Sequence, residues 1–525
     1  MTHDDQRFSE ATHLLRQGEL PAAQALFEDL LRRHPNHFDC VRRLAWIAVQ
    51  RGHYAQAVRL CCQALEINPL SAQTYTDMGT AMLGLGQAKA ALECLDSALR
   101  LDDHSAQIHN NRGLALKALG RVQEAEASYR RALALDTDFR DAWLNLGVAQ
   151  RQLDQHVAAL ESYARAIALQ PDYAKAHVNR GIVLHDLARL DEAIAAFDQA
   201  LALQPGMGEA IWNKSLALLT RGDYSAAWPL YEWRWVNHSA TPTASDPALP
   251  LWDGSASLAG KRIVVQCEQG LGDTIQFARY LALLAELGAH VVFEVYQPLV
   301  VLMQSLPGVA EIIGHNSPYP RADYRVLLMS LALHFQTTLA NLPAPERYLT
   351  PPPAAARFWA TRLESGRQSM RIGLVWRGSP SHQNDSKRSI PLEELLTQLP
   401  AGADAGIDYI SLQFQPSVSE QRLLAQYGVL ETADAVADFS DTAALCAQLD
   451  LVICVDTSVA HLSGALGVPC WVLVTHHPDW RWLLNRADCV WYPKTRVYRQ
   501  QAAGDWNSVL HLVVQDLRNT VRAGA

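Results

Sequence analysis

Three segments in the second half of this 525-residue chain carry side chains whose types and spacing suit work on an anionic group. The first is Gly270-Leu271-Gly272-Asp273-Thr274. Two glycines let a ligand approach the backbone, and a helix starting there offers unpaired N–H groups to an anion or a hydroxyl oxygen. Asp273 then has two readings, a cap on that helix or a general base facing a cleft. The second segment is VDTSVAHLSGALGVP, residues 455–469. Asp456 closes an apolar run, Thr457 and Ser458 open a helix, and His461 follows one turn later. A helix start of this kind favours a diphosphate. His461 is either a structural histidine or faces the same ligand. The third segment, WRGSPSHQNDSKRSIPL over residues 376–392, gathers Arg377, Lys387 and Arg388. Cations just past an apolar run suit a phosphoryl leaving group; the alternative is a solvated loop.

The elements that would hold these loops alternate. RIVVQCE, HVVFEV and the runs near 309–313 and 324–329 read as strands, with a helix through TIQFARYLALLAELG. A proline-rich break, LPAPERYLTPPPAAAR, precedes a second series: RIGLVW, YISLQ, LVICVD and PCWVLV. The β-loop-α-β order predicts two Rossmann-like lobes with parallel sheets, 259–345 and 371–525, joined by a linker at 346–370. Ligands of such sheets sit beyond the carboxyl ends of the strands, so all three loops would face the cleft between the lobes.

The first half repeats itself. Gly18, Gly52, Gly86, Gly120, Asp154, Ala188 and Gly222 recur every 34 residues, each followed five positions later by alanine. A second small-residue column runs Ala11, Ala45, Gly79, Gly113, Gly147, Gly181, Ser215, and Pro35, Pro69, Pro171 and Pro205 punctuate the turns. Small residues let paired helices approach and proline ends the second of each pair. This pattern resembles the tetratricopeptide repeat, about seven units over residues 5–236. Asn111, Asn145, Asn179 and Asn213 share one column, which predicts an amide ladder holding an extended peptide; the alternative is that each bonds to the neighbouring repeat. The last repeat ends in YEWRW, and twelve of fourteen tryptophans lie from Trp212 onward, as expected of an end that docks onto the next domain. Residues 237–258, with three prolines among small polar residues, read as a linker.

Composition bounds the function. Apolar residues make up 49% and the net charge is −9, which supports large cores and argues against a general nucleic-acid binder. No apolar run reaches the ~18 residues of a membrane span. The N-terminal MTHDDQRFSE lacks the basic and apolar regions of a secretion signal, and the nine cysteines form no CxxC pair, so a reducing cytoplasmic location is expected.

GLGDTIQFARY, the cationic segment and DTSVAHLSGALGVP together resemble the inverting glycosyltransferases of the GT-B fold related to the lipopolysaccharide heptosyltransferases. Repeats, YEWRW, EQGLGDTIQFARYL, DTSVAHL and DWRWLL in that order resemble a bacterial group of tetratricopeptide-repeat glycosyltransferases, and in part the O-linked N-acetylglucosamine transferases. The resemblance implies a superhelical repeat array followed by a GT-B pair of lobes, with a nucleotide sugar as co-substrate and a protein acceptor held by the repeats. It implies Asp273 as base, with His461 the next candidate. Gly270, Gly272, Arg377, Asp456, Thr457 and Ser458 would line the donor site, and Lys387 or Arg388 would neutralise the departing diphosphate. No Asp-x-Asp pair occurs in the second half, so no metal or other cofactor is expected and positive charge would come from side chains and a helix dipole. Two competitors remain: a repeat scaffold with a catalytically silent fold, and a two-lobed sugar epimerase.

Overall fold

The computed structural model describes residues 3–237, 249–363, 369–380, 385–402 and 406–524. The chain divides into two compact units, Met1–Met207 and Gly208–Ala525.

In the first unit twelve helices, from α1 (His3–Arg16) to α12 (Leu190–Leu203), form six helical hairpins. The small-residue column is where paired helices touch. A Cβ on Gly79 would lie 2.7 Å from Leu95, and one on Gly181 would lie 2.5 Å from the Phe197 ring. Ala98, Ala132, Ala166 and Ala200 are fully buried on the second helices. The turn column takes a left-handed backbone: φ is +72° at Gly52 and +75° at Gly120, but also +57° at Asp154 and Ala188. A side chain in that region costs about 1–2 kcal/mol. Ala188→Gly should therefore stabilise the array by about 0.5–1 kcal/mol, the strain relieved exceeding the entropy added to the unfolded chain. A rise in the urea midpoint would show it; an unchanged or lower midpoint would mean that the turn is not strained.

The seventh hairpin, α13 (Gly208–Arg221) and α14 (Tyr224–Tyr231), belongs to the second unit. The division therefore falls one repeat earlier than the expected end at 236, and the aromatic residues explain why. Trp228 is 2% exposed and its indole N–H donates to the Thr337 carbonyl at 2.9 Å. Tyr224 stacks on Trp491 with ring centres 5.9 Å apart, and Trp228 meets Trp480 edge-on at 5.7 Å. Rings of this size remove a large apolar surface from water. Half of the expected linker, 238–248, lies outside the described residues. Its remainder is no loose tether: Trp252 is 4% exposed, its backbone N–H donates to the Arg325 carbonyl, and the Pro250 carbonyl accepts from the Arg325 N–H.

Two parallel sheets follow. The first holds β1 (Arg262–Gln266), which leads into α15 (Leu271–Phe277), then β2 (His290–Val295), β3 (Val309–Gly314) and β4 (Tyr324–Leu327), in spatial order β3-β2-β1-β4. The single long helix expected after β1 is broken by a 3-10 turn at Ala278–Tyr280. The second sheet holds β5 (Met370–Val375), β6 (Ile407–Ser411), β7 (Leu451–Val455), β8 (Cys470–Val474) and β9 (Thr495–Arg499), in order β6-β5-β7-β8-β9. Among them lie α16 (Val418–Gln426) and α17 (Ser458–Leu466), and α18 (Trp506–Gly524) follows β9. Val509, Leu510, Val513 and Leu517 of α18 are fully buried against Ile372, Leu374 and Ile453 of the second sheet. Strand order reverses between β1 and β4 in one sheet and between β5 and β7 in the other. Those reversals open a crevice at the carboxyl ends of the strands.

Candidate functional site

The loops that follow β1, β5 and β7 leave from the strands at these reversals, and they converge. A cleft of about 1370 Å³ is lined by Gly270, Leu271, Gly272 and Asp273 after β1, by Arg377 and Gly378 after β5, and by Asp456, Thr457, Ser458 and His461 after β7. Arg388 joins them, while Lys387 is exposed and is not part of the lining. Of the two adjacent cations, geometry thus selects Arg388. Residues 381–384 of the cationic segment lie outside the described residues.

Asp273 caps the helix, the first of its two readings, and it also lines the cleft, where it pairs with an arginine. Its Oδ2 accepts from the Gly270 N–H at 2.8 Å, capping α15, and its Oδ1 accepts from the Arg481 guanidinium. Gly272 departs from expectation. The room left by its missing side chain is taken by His461, whose Cδ2 would lie 2.9 Å from a Cβ there. Its absence of a side chain thus serves contact between α15 and α17 rather than approach of a ligand.

His461 is 5% exposed, stacks on Trp482 with centres 5.5 Å apart, and meets the Tyr492 hydroxyl through Nδ1 at 3.0 Å. Burial, with Arg481 and Arg279 nearby, holds its pKa well below the ordinary value. A neutral imidazole so reluctant to take a proton is a weak general base near pH 7. Asp456 behaves oppositely. Burial and the Asp479 carboxylate push it up to about 6, while Arg388 and Arg481 oppose the rise. Thr457 is the N-cap of α17 but makes no side-chain cap bond, and its buried hydroxyl has no hydrogen-bond partner among the described residues. A buried, unmatched hydroxyl beside a helix N-terminus is costly unless a ligand meets it.

The cations are less available than the sequence suggested. Arg377 donates to both Glu420 oxygens, at 3.0 and 3.2 Å, and to the Gln415 carbonyl at 2.8 Å. It is clamped at the rim of the cleft, so an incoming phosphate would have to compete with Glu420 for it. Arg388 is 3.3 Å from Asp385, and an incoming anion would compete with that carboxylate. Burial alone would raise Glu420, but Arg377, the Ser417 N–H and the Trp376 indole outweigh it and hold its carboxyl at about 2. A depressed carboxyl adds stability that is complete above its unfolded value near 4.5 and lost as pH falls toward 2. The urea-midpoint gap between wild type and Glu420→Gln should accordingly narrow over that window. A gap that stays constant from pH 6 to pH 3 would contradict the clamp.

Arg481 was missed as a functional residue. It is 7% exposed and holds Asp273, Asp479 at 2.8 Å and Gln276 at 2.6 Å, with its guanidinium 4.3 Å from the centre of the Trp480 ring. Burial pulls its pKa down, but Asp479 and Asp273 outweigh that and leave it above its ordinary value. Its only signal was DWRWLL, where an arginine between tryptophans reads as packing.

The asparagine column divides. Asn111 is buried, donates to Thr80 of the preceding repeat at 3.0 Å and accepts from Gln107 at 2.7 Å. Asn145 donates to Asn110 of the preceding repeat at 2.9 Å. These two make the inter-repeat bonds of the alternative reading. Asn179 and Asn213 instead donate to carbonyls of their own helices, Lys175 and Glu209, both at 2.8 Å, and remain half-buried.

The tetratricopeptide repeat family matches residues 8–72, 76–138, 118–174, 144–208 and 178–233. The N-terminal part is a tetratricopeptide-repeat array. Such arrays are protein–protein interaction scaffolds that bind peptide partners. The chain is also 27% identical over 331 residues to protein FlbA of Caulobacter vibrioides, covering 58% of this chain and 54% of FlbA. It thus spans about half the length of that curated relative. Among solved structures, a thermophilic tetratricopeptide-repeat protein of Thermus thermophilus is 25% identical over 34% of this chain and 98% of its own, with a TM-score of 0.31. PilW, a type IV pilus biogenesis factor, is 21% identical over 40% of this chain and 97% of its own, with a TM-score of 0.37. MamA of Desulfovibrio magneticus is 20% identical over 33% and 98%, with a TM-score of 0.30. Among the described residues no helix is long and apolar enough to cross a membrane.

Proposed function

We propose that the second unit is a GT-B-type, metal-independent inverting glycosyltransferase, and that the repeats present a polypeptide acceptor to it. The observation that carries this reading is the convergence of three strand-reversal loops on one cleft that holds a carboxylate, an arginine and a helix N-terminus. The donor diphosphate would lie at the start of α17, meeting its free N–H groups and the unmatched Thr457 hydroxyl. Arg388 would exchange Asp385 for the diphosphate and spread the charge of the leaving group. An anion there also favours the protonated form of Asp456, whose pKa already stands near neutrality. Asp273, steered by Arg481, would accept the proton of an acceptor hydroxyl as its oxygen attacks the anomeric carbon in line.

A second reading has its own support. Arg377 bound to Glu420 and Asp273 bound to Arg481 are the internal pairings expected of a catalytically silent fold that serves the repeats as a rigid end. Incubating the full chain with a panel of nucleotide sugars in EDTA separates the two. Release of nucleoside diphosphate from one donor, abolished in Asp273→Asn, is the expected result. A folded chain that binds peptide yet turns over no donor would favour the scaffold.

A further inference from the structure

Cys267 directly follows β1, Glu294 lies on β2 and His315 directly follows β3, so three adjacent parallel strands bring a thiol, a carboxylate and an imidazole to one edge of the first sheet. Their ligand atoms all lie within 4.8 Å of one another. His315 Nδ1 is 2.8 Å from Glu294 Oε1 and 3.7 Å from Cys267 Sγ. We propose that this cluster is a zinc site, with Cys267, Glu294 and His315 as protein ligands and a fourth position open to water.

The geometry favours a metal over a nucleophile. In a catalytic relay the imidazole uses one nitrogen for the thiol and the other for the carboxylate. Here both approach the same Nδ1, as they do when three ligands surround a point. Tetrahedral zinc with ordinary bond lengths sets sulfur and nitrogen about 3.6 Å apart and nitrogen and oxygen about 3.3 Å apart. The first separation already fits, and the second needs Glu294 to withdraw by about 0.5 Å. Glu294 is 2% exposed, and a carboxylate buried so deeply calls for a cation. Its other oxygen accepts from the Tyr319 hydroxyl at 2.6 Å, and Tyr319 accepts in turn from Gln266 at 2.6 Å. That is the outer support that orients metal-bound carboxylates. A thiolate, imidazole and carboxylate set suits zinc better than magnesium or calcium.

None of the three residues lines the cleft, so the site is distinct from the proposed diphosphate position. It does neighbour the glycine loop. Cys267 stands three residues before Gly270, and Tyr296, whose ring lies 4.9 Å from His315, donates to the Gln269 carbonyl at 2.9 Å. Zinc takes the thiolate, so binding releases the Cys267 proton to solvent and affinity should rise with pH.

The test uses the full chain stripped by chelator and titrated with Co²⁺, then Zn²⁺. One equivalent of Co²⁺ should give a thiolate-to-cobalt charge-transfer band that Zn²⁺ abolishes. Cys267→Ser should lose the band, His315→Gln should weaken binding at least tenfold, and Cys62→Ser, an exposed thiol, should change nothing. Glu294→Gln keeps the shape of the site and should weaken binding at least tenfold with circular dichroism unchanged. That variant serves if Cys267→Ser fails to fold. A folded wild-type chain without the band, a band that survives Cys267→Ser, or unchanged affinity in Glu294→Gln would overturn the proposal.

Discussion

Asp273→Asn should slow glycosyl transfer by about 10²–10⁴, the usual worth of a positioned general base. The substitution is close to isosteric. Its amide oxygen can still accept from the Gly270 N–H or from Arg481, so the start of α15 survives, but no group remains to take the acceptor proton. Arg481 keeps Asp479 at 2.8 Å and Gln276 at 2.6 Å. Loss of one charge-assisted bond should cost about 1–3 kcal/mol of stability, which leaves the unit folded. Turnover at saturating donor, measured beside donor affinity and melting temperature, separates the two roles. A large drop in turnover with similar donor affinity identifies the base. An active but less stable variant would make Asp273 a cap and an ion-pair partner only.

Glu268→Ala should destabilise the second unit by about 3–5 kcal/mol, the scale on which a broken buried ion pair is felt. Arg234 is 3% exposed and Glu268 7%. They meet through two bonds of 2.8 and 3.0 Å, and Glu268 also accepts from the Met329 N–H at 2.9 Å. Removing the carboxylate strands a guanidinium that has, among the described residues, only Glu232 as a remaining acidic partner. It also removes one tie between the YEWRW segment and the loop after β1, leaving the bond from Gln269 to the Tyr231 hydroxyl at 3.1 Å. Replacing both partners, Arg234→Met with Glu268→Leu, should recover most of the loss, because no charge is then left uncompensated. Urea unfolding of the single and double variants measures both effects. A cost below about 1 kcal/mol for Glu268→Ala would mean that water reaches the pair.

What the sequence made legible follows from how far apart the determinants lie. The repeat array announces itself because each column answers a local steric demand. A left-handed turn wants glycine at 52 and 120, and a ring such as Phe197 leaves no room for a side chain at 181. The three site loops were likewise visible, since strand, glycine or hydroxyl, and helix stand next to one another in the chain. Partners distant in the chain were not visible. Glu420 lies 43 residues beyond Arg377 and takes up the charge that Arg377 was expected to lend to a phosphate. Arg481 lies 208 residues beyond Asp273. Lys387 and Arg388 are neighbours, and only the fold decides which of them lines the cleft. β9 escaped because Thr495–Arg499 places arginines among the apolar positions of a short run, which lowers its apolar signal. The asparagine column was seen as a column, but the bonds of Asn111 and Asn145 depend on Thr80 and Asn110 in the repeats before them.

Titration calorimetry with nucleoside diphosphates, in EDTA, tests the central claim most directly. One site per chain should appear. Arg388→Ala should weaken it by about 1–3 kcal/mol, a factor of roughly five to 150, as expected on losing a charge-assisted bond. Lys387→Ala, outside the cleft, should leave the affinity unchanged. A folded wild-type chain that binds no nucleoside diphosphate, or one whose affinity is untouched by Arg388→Ala, would contradict the assignment of this cleft to a nucleotide-sugar donor.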